Sequence, residues 1–280
     1  MIPIKGYTTF HPLKHCIVGK VHQPDQVDEA LKRIMRETNE DLDNLVDTLQ
    51  TFGVKCYRPI AEGSNQRPPI SPRDYFVALG DTLLVGKVVS GFKDILKQID
   101  RKNIGWYLND DISSANMIRC GDHIHWDISK NVSTETENKI MSWLHDMGYK
   151  VHVTRYGWHM DGVYSILKPG VIAATNVLPE LQTIYPNWEI FYPEAQHSTT
   201  PIKHEWGGNH AESNYYVNLL SVDEQNCITT GENENFFKFL DEHKIKATVC
   251  PLRHQAFWDN GLHCVTQDLY REGSMETYLK

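Results

Sequence analysis

Residues 216–251 read YVNLLSVDEQNCITTGENENFFKFLDEHKIKATVCP. The apolar runs 216–222 and 227–230 flank a polar turn at 223–226 and read as two strands. Residues 233–243 read as a short helix, and 246–251 as the strand after it. The same grammar extends upstream. Residues 75–79 and 82–85 read as strands joined by Gly80-Asp81, a hairpin signal. Residues 133–147 then read as helix, and Gly148 precedes a strand at 149–153. Nearer the start, Cys16-Ile17-Val18-Gly19 reads as a buried strand. An amphipathic helix follows over 27–52, with Leu31, Ile34, Met35, Leu42, Leu45, Val46 and Leu49 at helical spacings. Gly53 ends it, and Val54-Lys55-Cys56-Tyr57 reads as a strand stopped by Pro59. A polar, proline-rich loop covers 61–72, and 262–269 reads as a last strand in a polar tail. Strands and helix recurring at a roughly constant period point to an α/β repeat architecture rather than two unrelated domains. A Rossmann sheet is the competing α/β arrangement, but no GxGxxG follows any strand.

The 280 residues carry 28 basic and 36 acidic side chains, a net charge of −8. That balance argues against nucleic acid or an anionic membrane as partner. Hydrophobic residues at 40% and charged ones at 23% suit a globular chain that buries its core without disulfide or metal staples. Cys16, Cys56, Cys120, Cys227, Cys250 and Cys264 stand singly with no CxxC, so neither a zinc site nor a thioredoxin motif is supported. The opening residues lack the apolar core of a signal peptide, and no apolar run is long enough to span a bilayer. The expectation is a reduced, soluble, cytoplasmic protein.

Several residues carry candidate chemistry. Cys264 follows Gly261-Leu262-His263; a glycine there permits a sharp turn before a strand. A cysteine so presented, with a histidine arriving from elsewhere, is the minimum for thiolate catalysis; the plain alternative is a small buried apolar residue. His159 and Asp161, in Trp158-His159-Met160-Asp161-Gly162, would share one face of an extended segment and line one pocket. There the imidazole would move protons and the carboxylate hold a cation; in isolation the pair reads equally as solvated surface. Asp74 precedes an apolar strand, a position that either faces a site or caps a turn. His123-Ile124-His125 has metal-ligand spacing, but one such pair is expected by chance among 14 histidines, and no partner ligand set stands out. The tryptophans read as core or pocket wall.

Together these stretches resemble the amidinotransferase family, glycine amidinotransferase and its bacterial relatives, within the guanidine-modifying pentein superfamily. His11-Pro12-Leu13 through Val18-Gly19 looks like the family's opening strand. Residues 51–59 resemble its "GV.V.RP" segment. Pro72-Arg73-Asp74 with the following hairpin resembles its "PRD" strand pair. Residues 117–121 resemble "FIRAG", and 158–170 resemble "MHIDATF…PG". The tail 261–279 closely resembles "GGFHCWT…RRG…YL". The resemblance covers nearly the whole chain, with the motifs in order.

It implies one domain over 1–280, a five-bladed α/β propeller of ββαβ modules with pseudo-fivefold symmetry, and an active site in the central cavity. Cys264 would be the nucleophile that carries the amidino group, and His159 the acid and base. Asp74 and Asp161 would clasp the guanidinium, with Trp158 beside it. No metal or organic cofactor is implied. The partners would be a small guanidino donor and an amine acceptor, with neither nucleic acid nor membrane; a homodimer is compatible with this reading.

Two positions depart from the family. Ser113 stands where the family has the aspartate that supports the histidine, with Asp110 and Asp111 just upstream as replacement carboxylates. Leu178 stands where glycine amidinotransferase has the arginine that holds a substrate carboxylate, which disfavours glycine as acceptor. The lead expectation is amidino transfer from arginine or a related guanidine to an amine. A guanidino hydrolase and a non-catalytic guanidine-binding homologue are the alternatives.

Overall fold

The computed structural model describes residues 1–22, 29–61, 68–86, 90–106, 112–194, 196–197, 203–204, 206–208, 212–213 and 215–279. In chain order the elements are β1 (Leu13–Val18), α1 (Glu29–Thr51), β2 (Lys55–Tyr57), β3 (Phe76–Leu79), β4 (Thr82–Val85), α2 (Lys93–Leu96) and β5 (Ile104–Trp106). Then come β6 (Met117–Cys120), β7 (His123–Asp127), α3 (Thr134–Asp146), β8 (Lys150–Thr154), β9 (Tyr164–Lys168), β10 (Val171–Ala174), α4 (Leu181–Ile184) and β11 (Glu189–Phe191). The last are β12 (Gln196–His197), β13 (Glu212–Ser213), β14 (Leu220–Asp223), β15 (Asn226–Thr229), α5 (Glu234–Glu242), β16 (Lys246–Val249), α6 (Gln255–Trp258) and β17 (Thr266–Arg271).

The strands form five three-stranded sheets of one design, ordered β17-β1-β2, β3-β4-β5, β6-β7-β8, β9-β10-β11 and β14-β15-β16, besides the small pair β12-β13. In each, the first two strands are antiparallel and the third returns parallel to the second. A parallel return needs a crossover, and a helix supplies it in every unit. The first unit is assembled from both chain ends: Cys16 of β1 lies opposite Asp268 of β17 on one side and Cys56 of β2 on the other.

Buried apolar side chains gather into five clusters, and each is shared by two successive sheets. Ile17 and Leu269 meet Phe76 and Val85. Val77 and Leu84 meet Ile124 and Trp126. Ile118 and Cys120 meet Ile166 and Ile172, and Leu167 and Val171 meet Cys227 and Phe236. The fifth cluster joins Leu220 and Ile228 back to Cys16 and Val18. The sheets therefore close on themselves through a ring of shared cores.

Local chemistry sets the elements. The stripe Leu31, Ile34, Met35, Leu42, Leu45 and Leu49 is buried along α1. Gly53 then takes φ 74°, which an L side chain resists. Ser133 caps α3 by accepting from the Thr136 amide, and Asn233 caps α5 by accepting from the Phe236 amide.

Three expectations change. Residues 216–218 are not strand, because Asn218 turns its amide side chain to other elements and β14 starts at Leu220. Residues 262–265 form hydrogen-bonded turns, with Val265 N–H donating to Gly261 and Thr266 N–H to His263; Cys264 thus sits in a turn ahead of β17. Asp161 lies in the single 3-10 turn Met160–Gly162, which His159 caps, so the two do not share an extended segment.

Candidate active site

A turn leads into the first strand of each sheet. The 3-10 turn Pro72–Asp74 precedes β3, Ser114–Asn116 precedes β6, and Met160–Gly162 precedes β9. Turns at 215–217 and 262–265 precede β14 and β17. Side chains at or beside four of these turns converge, and the turn Ser114–Asn116 packs between those at Pro72–Asp74 and Met160–Gly162.

Cys264 is the centre of this convergence. Its side chain is buried, its Sγ lies 3.4 Å from Asp161 Oδ2, and Asn218 Nδ2 donates to Sγ at 3.1 Å. Asn218 also accepts the Cys264 amide through Oδ1 at 3.0 Å and donates to the Asp161 carbonyl at 3.0 Å. One amide side chain therefore fixes the thiol's backbone and the carboxylate's backbone together. Any Cβ at Gly261 would sit 2.5 Å from the Asn218 Cβ, so only glycine permits this approach.

Asp161 is buried, and its Oδ2 pairs with His263 Nδ1 at 2.9 Å. Burial opposes its ionisation. The His263 hydrogen bond and the charges of His263, His159 and Arg73 outweigh burial and hold the carboxyl at about 2. Asp161 Oδ1 has no partner among the described residues, and the same holds for Ser113 Oγ, Ser114 Oγ, Asn116 Oδ1 and Arg73 Nη2. Burial pushes the Cys264 thiol well up, and the negative charges of Asp161 and Asp74 push it further. His263 titrates low because it is buried and faces Arg73.

On the open side, His159 Nδ1 lies 3.7 Å from Asp74 Oδ1, with the imidazole 47% and the carboxylate 22% exposed. The loop before His159 presents Tyr156 and Trp158, stacked at 4.4 Å and 13°; the Tyr156 hydroxyl donates to Glu180 at 2.8 Å. Cys264, Asp161, Asp74, His159 and Trp158 are thus brought to one region. Ser113 lies beside it at the head of its turn. Asp110 and Asp111 lie outside the described residues. Leu178 is packed into the cluster with Leu181 and Tyr185, so its side chain belongs to the core and does not line the site.

Sequence reasoning missed four participants. Asn218 lies within an apolar run that reads as strand, His263 adjoins the more conspicuous Cys264, and neither Asp127 nor Asp268 stands in a motif. Asp268 of β17 is buried between three guanidinium groups: Arg73 at 2.7 Å, Arg271 at 2.7 Å, and Arg119. Those cations hold its carboxyl well below the usual range despite burial. Arg271 also donates to the carbonyls of His11 and Ser221, so this hub ties four of the five sheets or their leading turns together beneath Cys264. The available signal is that Asp268 shares one short strand with Arg271, because a charge buried in a sheet demands partners.

The side chains of His123 and His125 are engaged by separate partners. His123 Nδ1 meets His152 Nε2 at 2.8 Å, while His125 bonds the Tyr164 and Thr154 hydroxyls, both at 2.9 Å. Among the described residues no group of three His, Cys, Asp or Glu side chains is arranged for a metal ion. No described helix is long and apolar enough to cross a membrane.

No family model matches the chain. It is 23% identical to inosamine-phosphate amidinotransferase 1 of Streptomyces glaucescens, across 88% of this chain and 84% of that protein. It is 22% identical to the L-arginine:L-lysine amidinotransferase of Pseudomonas savastanoi pv. phaseolicola, across 93% and 84%. The solved structure of an inosamine-phosphate amidinotransferase from Streptomyces griseus superposes with a TM-score of 0.78 at 19% identity, over 98% of this chain and 99% of that one. A dimethylarginine dimethylaminohydrolase from Pseudomonas aeruginosa shares the fold at a TM-score of 0.65 and 13% identity, over 91% and 99%. In sequence the chain is similar to amidinotransferases, and it shares its fold with solved amidinotransferase and dimethylaminohydrolase structures.

Proposed function

We propose that the protein takes an amidino group from arginine or a related guanidino compound, carries it as an amidino-thioether on Cys264, and passes it to an amine. The observation that carries this reading is the meeting of a buried thiol, two carboxylates and an accessible imidazole at one centre. The ring of shared cores supports the finer reading of 1–280 as one five-bladed α/β propeller with pseudo-fivefold symmetry and the chemistry at its axis. A cytoplasmic setting, where thiols stay reduced, suits such a nucleophile.

A guanidinium is a planar cation whose forked N–H donors match carboxylates in pairs. Asp161 offers its unpartnered Oδ1 to one edge, and Asp74 faces another. Held so, the guanidine carbon, a poor electrophile, is kept against Sγ, and positioning supplies much of the rate. The charges that disfavour a thiolate in the empty site favour the cationic donor. Once bound, the cation offsets both carboxylates and lowers the cost of ionising Cys264. Sulfur attacks the guanidine carbon, the bond from that carbon to the donor's amine nitrogen breaks, and His159 supplies the proton that nitrogen takes. The acceptor amine then attacks the amidino carbon, gives its proton to His159, and the carbon–sulfur bond breaks to release the Cys264 thiolate, restoring the thiolate and protonated imidazole that began the cycle.

The test is incubation with arginine alone, read by intact mass, with Cys264→Ala as control and assays for ornithine, urea and citrulline. One amidino group on the native protein only, with stoichiometric ornithine, is the expected result. Continuous urea or citrulline would instead establish a hydrolase, and no adduct and no product with arginine or other guanidines would leave a non-catalytic homologue.

A further inference from the structure

Building on that reading, we infer that Asp127 is the positioning residue for His159, doing through the backbone what a carboxylate at 113 would do through the ring. Asp127 ends β7 and is fully buried. Its Oδ2 accepts the amides of Gly157 at 2.7 Å and Trp158 at 2.9 Å. Its Oδ1 accepts the Tyr156 amide at 2.8 Å and the Thr154 hydroxyl at 3.0 Å. Three successive N–H groups thus converge on one carboxylate immediately before His159. Gly157, at φ 79°, provides the turn that lets them do so. The Asp127 carbonyl accepts Asn116 Nδ2 at 2.9 Å, which ties the clamp to the turn that Ser113 heads.

Two further observations give this clamp its role. Among the described residues nothing fixes the imidazole from the ring side: Asp74 at 3.7 Å is beyond a hydrogen bond, and the ring is half exposed. Ser113 Oγ, where a supporting carboxylate would stand, has no partner among the described residues. Meanwhile four donors occupy Asp127, which fills the lone-pair directions of a carboxylate. It therefore has none left for a substrate and acts only through the loop it holds.

The test separates this role from a general structural one by varying the leaving group. Arginine and S-methylisothiourea give the same amidino-thioether on Cys264. With arginine, the departing amine takes a proton from His159. With S-methylisothiourea, the carbon–sulfur bond breaks, methanethiolate leaves as the anion, and water later protonates it. A loosened His159 therefore slows the first donor and spares the second. For Asp127→Asn we expect adduct formation from arginine to fall roughly ten- to hundredfold, the scale of a misplaced acid. The S-methylisothiourea rate should stay within about threefold of native, because no acid is needed there. Asp127→Glu should recover part of the arginine rate, and it stands in if the Asn variant fails to fold. A native enzyme that forms the adduct from both donors, with variants that slow both alike or neither, overturns this inference alone. A native enzyme that forms it from neither overturns the reading beneath it as well.

Discussion

Replacing Asp161 with Asn should move two properties of Cys264 in opposite directions. The carboxylate lies 3.4 Å from Sγ, where at an effective dielectric of ~20 a unit charge opposes thiolate formation by about 5 kcal/mol. Removing it raises the thiolate fraction by roughly a few thousandfold. A more acidic thiol is a weaker nucleophile, with a Brønsted slope of ~0.4–0.5, so the gain in alkylation rate is nearer fifty- to a hundredfold. Water reaching the pocket screens the charge further, so a tenfold rise is set as the lower bound. The assay is carbamidomethylation of Cys264 by iodoacetamide at pH 8 without substrate, followed by peptide mass spectrometry. The same variant should lose at least about a hundredfold in adduct formation from arginine, because a paired carboxylate–guanidinium contact is gone. Faster alkylation with slower adduct formation is the signature of a carboxylate that opposes the empty thiol and binds the cation. Alkylation no faster than native would refute the electrostatic account, whatever happened to the adduct.

Three further outcomes follow from neighbouring groups. Asp161 at about 2 and Asp268, held well below the usual range by its three guanidinium neighbours, both titrate below the ordinary carboxylate value of 3.8. Their contribution to stability is therefore complete above 3.8 and is lost as pH falls through the folded values. Asp268→Asn, which leaves three buried guanidinium groups short of a counter-charge, should cost about 3–5 kcal/mol at neutral pH, read from the urea midpoint. The carboxylates' share of native stability should be lost only below about pH 4, whereas the buried imidazoles of His125 and His263, which titrate low, begin to cost stability as pH falls below 6.5. Trp158→Ala, on the exposed stack beside His159, should raise KM for the guanidino donor roughly fivefold, since stacking contributes about 1 kcal/mol to binding.

The parts of the fold that the sequence disclosed are those whose signal is local. Leu31 through Leu49 on one helical face, Gly80-Asp81 between apolar runs and the Ser133 cap each act within a few residues, and each element formed close to where it was read. The unit from β9 to β11 was not recognised as a repeat by pattern, because its helix is the short α4 and its strands are nearly continuous apolar runs. The site divides similarly. Cys264, His159, Asp161 and Asp74 were legible through motif resemblance. The neighbours that set their chemistry were not, since Asn218, Asp127 and Asp268 act across long separations in sequence: the Asn218 amide meets Cys264 from another unit, and Asp268 meets Arg73 and Arg119 from two others. Local reading also favoured strand for residues 216–218 and 262–265, where polar contacts with other units override β-propensity.

The pairing of β17 with β1 has a consequence for how this molecule comes into being. Contacts between the two ends of a chain are the slowest to form, because the longest loop must close first. During synthesis the N-terminal sheet therefore waits with β1 open on one side until β17 emerges, and an open strand invites association with other chains. The residue that completes the ring's chemistry, Cys264, rides on the same late segment, two positions ahead of β17. Assembly of the scaffold and arrival of Cys264, the proposed nucleophile, are thus one event, and a chain in which β17 has yet to join β1 has neither a closed ring nor that thiol in place.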